Sequence, residues 1–491
     1  MPPTIDNAKP RTDSASLGLW QHHGENLLLL QPFMDSVIVG GEGCYMIDAD
    51  GNRILDLAAG QFCSVLGYSH PRFVQRLQHQ LADLLHIGDQ YVSPGVLKAA
   101  SRLAGVAPAG LKKVVFLSTG SEANECAMRI AKSVTGRTGM LGFSRGYYGI
   151  SLATRNLSSI SDHPGKTDFQ PAPANQNKLI TPTCRRCPVK QQYPSCSAAC
   201  LDVSLELLSS QQENVAAVII EPVLSAGGMI FPPKEYLQKL HAAVHELGAL
   251  FIVDEAQTGF GRCGEWFDIQ NYGINPDIMV ISKTGGNGYP AAAVIVSDSV
   301  AKDLERTHFT HLSSHQNDPL AAAAVHAVID IVEEENLVER SRAMGEYFIA
   351  RLRDLQSTHK FIADIRGRGL MIGMELATGK NDTSKLAFEM AMLCERRGVH
   401  LTFSYFEPVI RIIPPLIISQ EEIDAAITVM DEALSIIERG SSSLNDLLPK
   451  NCKSGPFTRG MIDESHLSLR RMWQTSPQQW LNKLQSLRRN K

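Results

Sequence analysis

Long apolar runs are absent from this 491-residue chain, and so is any strong excess of one charge. No apolar stretch reaches the roughly 20 residues that a bilayer-spanning helix needs, so no membrane segment is expected. The net charge of −4 offers no basic face for nucleic acid or an anionic membrane surface. The opening stretch, MPPTIDNAKPRTDSASLG, lacks the apolar centre of a secretion signal and reads as the start of a disordered arm over residues 1–30. The closing Arg-Asn-Lys is not a peroxisomal address. A cytoplasmic protein is the expectation. Cysteine is sparse, with 10 residues, and most lie singly in apolar segments, as small reduced core residues do.

What is present is ample apolar material, 44% of residues, enough for a large core and two domains. Short apolar runs end in polar residues and alternate with helical spacing: Lys113–Leu117, Met140–Phe143, Val215–Ile220, Leu250–Val253, Ile278–Ser282 and Ala291–Ser297. The strand–helix–strand order predicts an α/β fold with a mostly parallel sheet and helices on both faces. Val37–Leu57 reads as a hairpin turning at Asp48–Asn52. The expected division is an arm (1–30), an N-terminal part of the small domain (31–70), a large domain (71–335) and a smaller α+β C-terminal domain (336–440). A C-terminal extension (441–491) carries a basic amphipathic stretch over 467–487.

The chemistry concentrates in Ala249–Tyr289. Asp254 ends one predicted strand and Lys283 ends the next, where open α/β sheets place their reactive groups. A partly buried lysine with a lowered pKa forms a Schiff base with an aldehyde, and an aspartate on a neighbouring strand suits a pyridinium nitrogen. Pyridoxal phosphate enzymes combine the two roles. A structural ion pair is the plainer reading. Ser118–Glu125 (STGSEANE) follows a strand and opens a helix, so Thr119, Gly120 and Ser121 present free N–H groups to an anion such as the cofactor phosphate; an ordinary N-cap reads the same way. Arg411 is a lone guanidinium in the apolar run Val409–Ile413, placed either for a substrate carboxylate or for an internal acid. Within a polar insert, 162–201, Cys184, Cys187, Cys196 and Cys200 have spacing compatible with a structural zinc or iron–sulfur centre, and equally with a surface insert of free thiols, so no metal is assigned.

Taken together, IVDEAQTGFGRCG, ISKTGGNGYP, LDLAAGQFC, STGSEANE and the Glu221-Pro222 pair resemble the class III, fold-type I pyridoxal phosphate aminotransferases. Within that class the match is to 2,2-dialkylglycine decarboxylase-like members, over roughly Leu55–Ile437. The resemblance implies pyridoxal 5'-phosphate bound at Lys283, Asp254 on the ring nitrogen, Gln257 on the phenolic oxygen, Tyr147 stacked on the ring and Glu221 nearby. It implies a contact from Gln61 to a departing substrate carboxylate, and a hydroxyl from Ser314 to the phosphate of a partner subunit in a homodimer or dimer of dimers. Asp89 and Asp318 fall where some relatives hold an alkali cation. The implied activity is decarboxylating transamination of a 2,2-dialkylglycine with a 2-keto acid. Plain transamination of an amino or ω-amino acid is the alternative. A non-catalytic scaffold is the third reading, disfavoured by the complete Asp254, Lys283 and Arg411 set.

Overall fold

The computed structural model describes residues 14–28, 33–158, 178–207, 213–377, 386–404 and 407–440. Its core is a seven-stranded sheet of β4 (Leu111–Leu117), β5 (Gly139–Phe143), β6 (Lys178–Leu179), β7 (Val215–Ile220), β8 (Leu250–Asp254), β9 (Ile278–Ile281) and β10 (Ala292–Ser297). The spatial order is β4-β10-β9-β8-β7-β5-β6. Pairings from β6 through β9 are parallel; β10 runs antiparallel to both β9 and β4. Every residue of β7 and β9 is buried, as expected of strands covered on both faces. That accounts for their unbroken apolar runs, in place of alternation.

The N-terminal region departs from a single hairpin. β1 (Ile38–Glu42), β2 (Tyr45–Asp48) and β3 (Arg53–Asp56) form a three-stranded meander, because a second tight turn at Gly43 (φ +57°) precedes the turn at Asp48–Asn52. A short C-terminal strand, Val399–His400, pairs with β3 in parallel, so residues 38–56 and 399–400 share one sheet. The second small sheet takes the order Ile362–Arg368, Met371–Leu376, Val409–Ile412, Thr402–Phe403. Ile362–Arg368 is thus a strand, and the turn falls at Gly369-Leu370.

Part of the arm expected to be disordered is helical. Ala15–His23 is capped by Ser14, whose hydroxyl donates to Asp50 while the Ala15 N–H donates to the same carboxylate. The pinning acid lies in the distant turn, so no local signal reveals it. Residues 1–13, 162–177 of the insert and the 441–491 extension lie outside the described residues. Among the described residues no helix is long and apolar enough to cross a membrane.

Candidate active site

Two adjacent parallel strands carry the reactive pair. Asp254 ends β8, is 6% exposed, and pairs in register with Val280 of β9; Lys283 follows β9 at the start of a short 3₁₀ turn with φ +34°. A positive φ at a non-glycine residue is strained, and here it turns the lysine off the strand line. Burial lowers the pKa of the Lys283 ammonium and Arg411 adds to that, while Asp254, Cys63 and Glu221 pull the other way. The amine is therefore easier to deprotonate than a surface lysine, the condition for nucleophilic use.

Asp254 is held rigidly. The Asn124 side-chain amide donates to its Oδ2 at 2.7 Å and to the Tyr148 carbonyl at 2.8 Å, and the Ala256 N–H donates to Oδ1 at 2.9 Å. Burial raises the Asp254 pKa against these hydrogen bonds and the Lys283 charge. A cationic ring N–H set beside it would supply the compensation that burial removes.

The helix Gly120–Thr135 begins against the same strand ends. A Cβ on Gly120 would lie 3.3 Å from the Ser282 Cβ and Oγ, so the helix N-terminus sits beside the residue preceding Lys283. Thr119 is its N-cap, with Oγ1 accepting from the Glu122 N–H at 3.3 Å, and Ser121 Oγ accepts from the Ile150 N–H. The first N–H groups of this 16-residue helix have no intrahelical acceptor, which makes them an anion cradle.

Glu221 and Tyr147 form the next layer. The Tyr147 N–H donates to Glu221 Oε1 at 2.7 Å, while the neighbouring Tyr148 is a core residue whose hydroxyl accepts from the Phe143 N–H. Burial, with Asp254 beside it, pushes the Glu221 carboxyl from 4.5 to about 8. The folded state therefore holds this proton more tightly than the unfolded chain. Its contribution to stability is present below pH 4.5 and is lost as pH rises toward about 8. Glu221→Gln keeps the acceptor and removes the titration, so the apoprotein's melting temperature should fall less steeply across that window. Thermal melts at stepped pH check this; a slope equal to wild type would contradict a buried, neutral Glu221.

Arg411 and Lys283 meet over one ring. The Arg411 guanidinium lies 4.7 Å from the Phe62 ring centroid and the Lys283 ammonium 5.9 Å from it. Arg411 is 5% exposed on Val409–Ile412, opposite Gly373. Phe62 itself is buried at φ +68°, in a segment where Ala59 and Gly60 also have positive φ. Asp56 fixes that path by accepting from the Ala58 N–H (2.7 Å), the Gly60 N–H (2.5 Å) and the Tyr68 hydroxyl (2.6 Å).

The predicted residues are therefore brought together unevenly. Asp254, Lys283, Glu221, Tyr147, Gly120, Ser121 and Thr119 converge on the strand ends. Gln257 is 8% exposed, with a buried Oε1 that receives no hydrogen bond. Gln61 is exposed, and Phe62 rather than Gln61 occupies the space against both cations. Ser314 is also exposed; its neighbour Ser313 donates to Glu122, so the segment reaches this chain's own helix Gly120–Thr135 one residue away from the predicted hydroxyl. Asn124, Asp56 and Phe62 were not singled out from sequence, although all three lie inside the quoted motifs.

Burial, and then the neighbouring Cys187, Cys184 and Cys196, raise the Cys200 thiol pKa, so the tetrad lies together. All four thiols are free, Cys184 is exposed and Cys200 buried. Among the described residues, His86, His315 and Asp318 are the one group of three whose ligand atoms lie within 4.8 Å of one another. Both histidines contact the Asp318 carboxylate through Nδ1 at 2.5 Å, and Asp89 is not part of the group.

Residues 31–434 match the family model described as Aminotransferase class-III. An uncharacterized aminotransferase of Schizosaccharomyces pombe is 34% identical over 82% of this chain and 91% of its own length. The acetylornithine aminotransferase of Methanothermobacter thermautotrophicus is 32% identical over 84% of this chain and 97% of its own. A thermostable (S)-enantioselective omega-transaminase from Thermomicrobium roseum superimposes with a TM-score of 0.79 at 28% identity, covering 87% of this chain and all of that one.

Proposed function

The chain belongs to the class-III aminotransferases, pyridoxal phosphate enzymes of fold type I, and from that premise we propose that it moves an amino group from an amino acid or ω-amino acid to a 2-keto acid such as pyruvate. The observation that carries this reading is the shared ring: an amine of lowered pKa and a buried guanidinium lie 5.9 and 4.7 Å from the centroid of one side chain, Phe62.

The residues present fit the cofactor. The N–H groups of Gly120 and Ser121 would hold its phosphate, Asp254 its ring nitrogen and Tyr147 its face. The unsatisfied amide of Gln257 leaves a buried polar group free for its phenolic oxygen. Bound there, pyridoxal phosphate supplies an aldehyde for amines and a ring that withdraws electron density from the amino acid's α-carbon. Asp254, fixed by Asn124, would face the ring nitrogen as a carboxylate and favour its protonated form. Lys283 would hold the aldehyde and, with its amine free, would serve as the base that takes a proton from the substrate carbon and returns it. Arg411 fixes a carboxylate bidentately and so orients the reacting bond.

A second reading rests on Gln61, which stands next to Phe62 in the strained segment. There it would hold the carboxylate of a 2,2-dialkylglycine, which has no α-hydrogen, so that loss of CO2 replaces proton removal. The two are separated by incubation with 2-aminoisobutyrate and pyruvate: CO2, acetone and alanine together support decarboxylation. Alanine formed only from ordinary amino donors leaves plain transamination. No alanine from any donor panel would overturn both. In either case Arg411→Gln should raise the KM for pyruvate about 10- to 100-fold, the loss of one charge-assisted pairing, with a smaller change in kcat.

The assembly that suits this reading is a homodimer or dimer of dimers. Leu85, Tyr91, Val92, Leu97 and Leu312 are more than half exposed apolar residues flanking the Ser314 segment, a surface that a second copy would cover. A cytoplasmic location accords with a small-molecule enzyme of this kind.

A further inference from the structure

We infer that a cavity between the cysteine-bearing insert and the small C-terminal sheet is a second binding site, for a small organic polyanion. The cavity measures about 420 Å³, within the range of small-molecule sites. Six arginines line it: Arg145, Arg185, Arg186, Arg353, Arg366 and Arg368. Among the described residues, three carboxylates line it with them, Asp364, Glu375 and Glu407. Arg368 is matched from behind by Asp268 at 2.7 Å, so among the described residues the guanidinium groups outnumber the carboxylates by two.

The excess has an address. Glu407 is shared by Arg145 and Arg186, and Glu375 by Arg186 and Arg366. Arg185, half exposed, donates to the Ala363 carbonyl at 2.6 Å and reaches the carboxylates of Asp364 and Glu375 at 3.7 and 3.6 Å. Arg353, exposed on the helix Leu337–Thr358, makes no ion pair with a described residue. Two guanidinium groups from separate elements thus face one cavity with no carboxylate at hydrogen-bond distance among the described residues, an arrangement that a bound anion relieves. Phe231, Ile349 and Ile365 line the same space and suit a hydrocarbon body. The ligand class is an organic acid with at least two negative charges and a short carbon skeleton, a polycarboxylate or a phosphate monoester.

The site is separate from the candidate active site, since none of Lys283, Asp254, Phe62 and Arg411 lines it. It touches both walls of that site indirectly. Arg145 lies two residues before Tyr147, and Glu407 leads into the strand that carries Arg411. The inference does not depend on the reaction catalysed, because its readout is binding.

The experiment titrates the holoenzyme by calorimetry, at constant ionic strength, with citrate, phenyl phosphate and inorganic phosphate. Saturable binding of citrate alone supports a polycarboxylate site, and binding of phenyl phosphate alone supports a phosphate monoester site. The double variant Arg185→Gln/Arg353→Gln should weaken that binding at least about tenfold, with turnover and the anion-free melting temperature unchanged. Arg411→Gln should leave it intact. No saturable binding, binding unaffected by the double variant, binding lost with Arg411→Gln, or inorganic phosphate binding as tightly as either organic probe would each overturn the proposal. The Arg411→Gln arm separates this failure from failure of the active-site reading, which that variant tests through KM.

Discussion

Lys283→Ala is expected to abolish turnover, by about a thousandfold or more, while leaving the fold intact. The magnitude follows from two losses at one atom. The Nζ that would anchor the cofactor aldehyde is gone, and so is the proposed proton carrier, itself worth about 100- to 10,000-fold. The fold should survive, because the residue stands in a strained conformation (φ +34°) after β9 rather than in the sheet, and burial disfavours its charge. Added primary amines should restore a fraction of the rate, since they supply the missing base without the anchor. Two measurements check this. Borohydride treatment should fix cofactor to Lys283 in the wild type and nowhere in the variant, read by peptide mass. Circular dichroism should be unchanged. Rapid turnover by a well-folded variant would remove the lysine from the mechanism.

Much of this site was legible in the sequence because its pieces are local. β8 and β9 announce themselves as short apolar runs ending in a charge, and Thr119 with the small residues after it marks a helix start whose N–H groups are free. Gly136, at φ +67°, ends that helix as a left-handed cap. What was hidden depends on partners far along the chain. The reversed direction of β10 follows from its pairing with β4, more than 170 residues earlier. The path that aims Phe62 rather than Gln61 at Lys283 and Arg411 is set by Asp56 and Tyr68 together. Only the folded chain exposes the charge imbalance around Arg185 and Arg353, because the three acids that serve their neighbours come from two different strands and a loop. The cysteine tetrad is the converse case: a regular local spacing whose thiols the fold brings together, at unequal depth.

Asp254→Asn should lower kcat about 100- to 1000-fold, the scale of removing one preorganised electrostatic partner from a buried site. The side chain keeps its shape and its one oxygen can still accept from the Asn124 amide, while the Ala256 N–H loses the acceptor that the second carboxylate oxygen gave it. The charge disappears as well. Burial already raises the Asp254 pKa, so in the empty protein the proton is held more firmly than by an ordinary aspartate. A carboxylate at this place would favour a protonated ring nitrogen beside it, and the cation would in turn stabilise the carboxylate. An amide carries no charge and would not, so the bound ring would be a weaker electron sink. Asn124→Ala offers the control for position. It removes the 2.7 Å hydrogen bond that favours the ionised carboxylate, and should therefore shift the limb of the kcat–pH profile governed by Asp254 to higher pH. A merely structural asparagine would lower stability without moving that limb. If Asp254→Asn retained most of its kcat, with cofactor bound and pH profile unaltered, the acid at the end of β8 would be a packing residue and the electronic role would belong elsewhere.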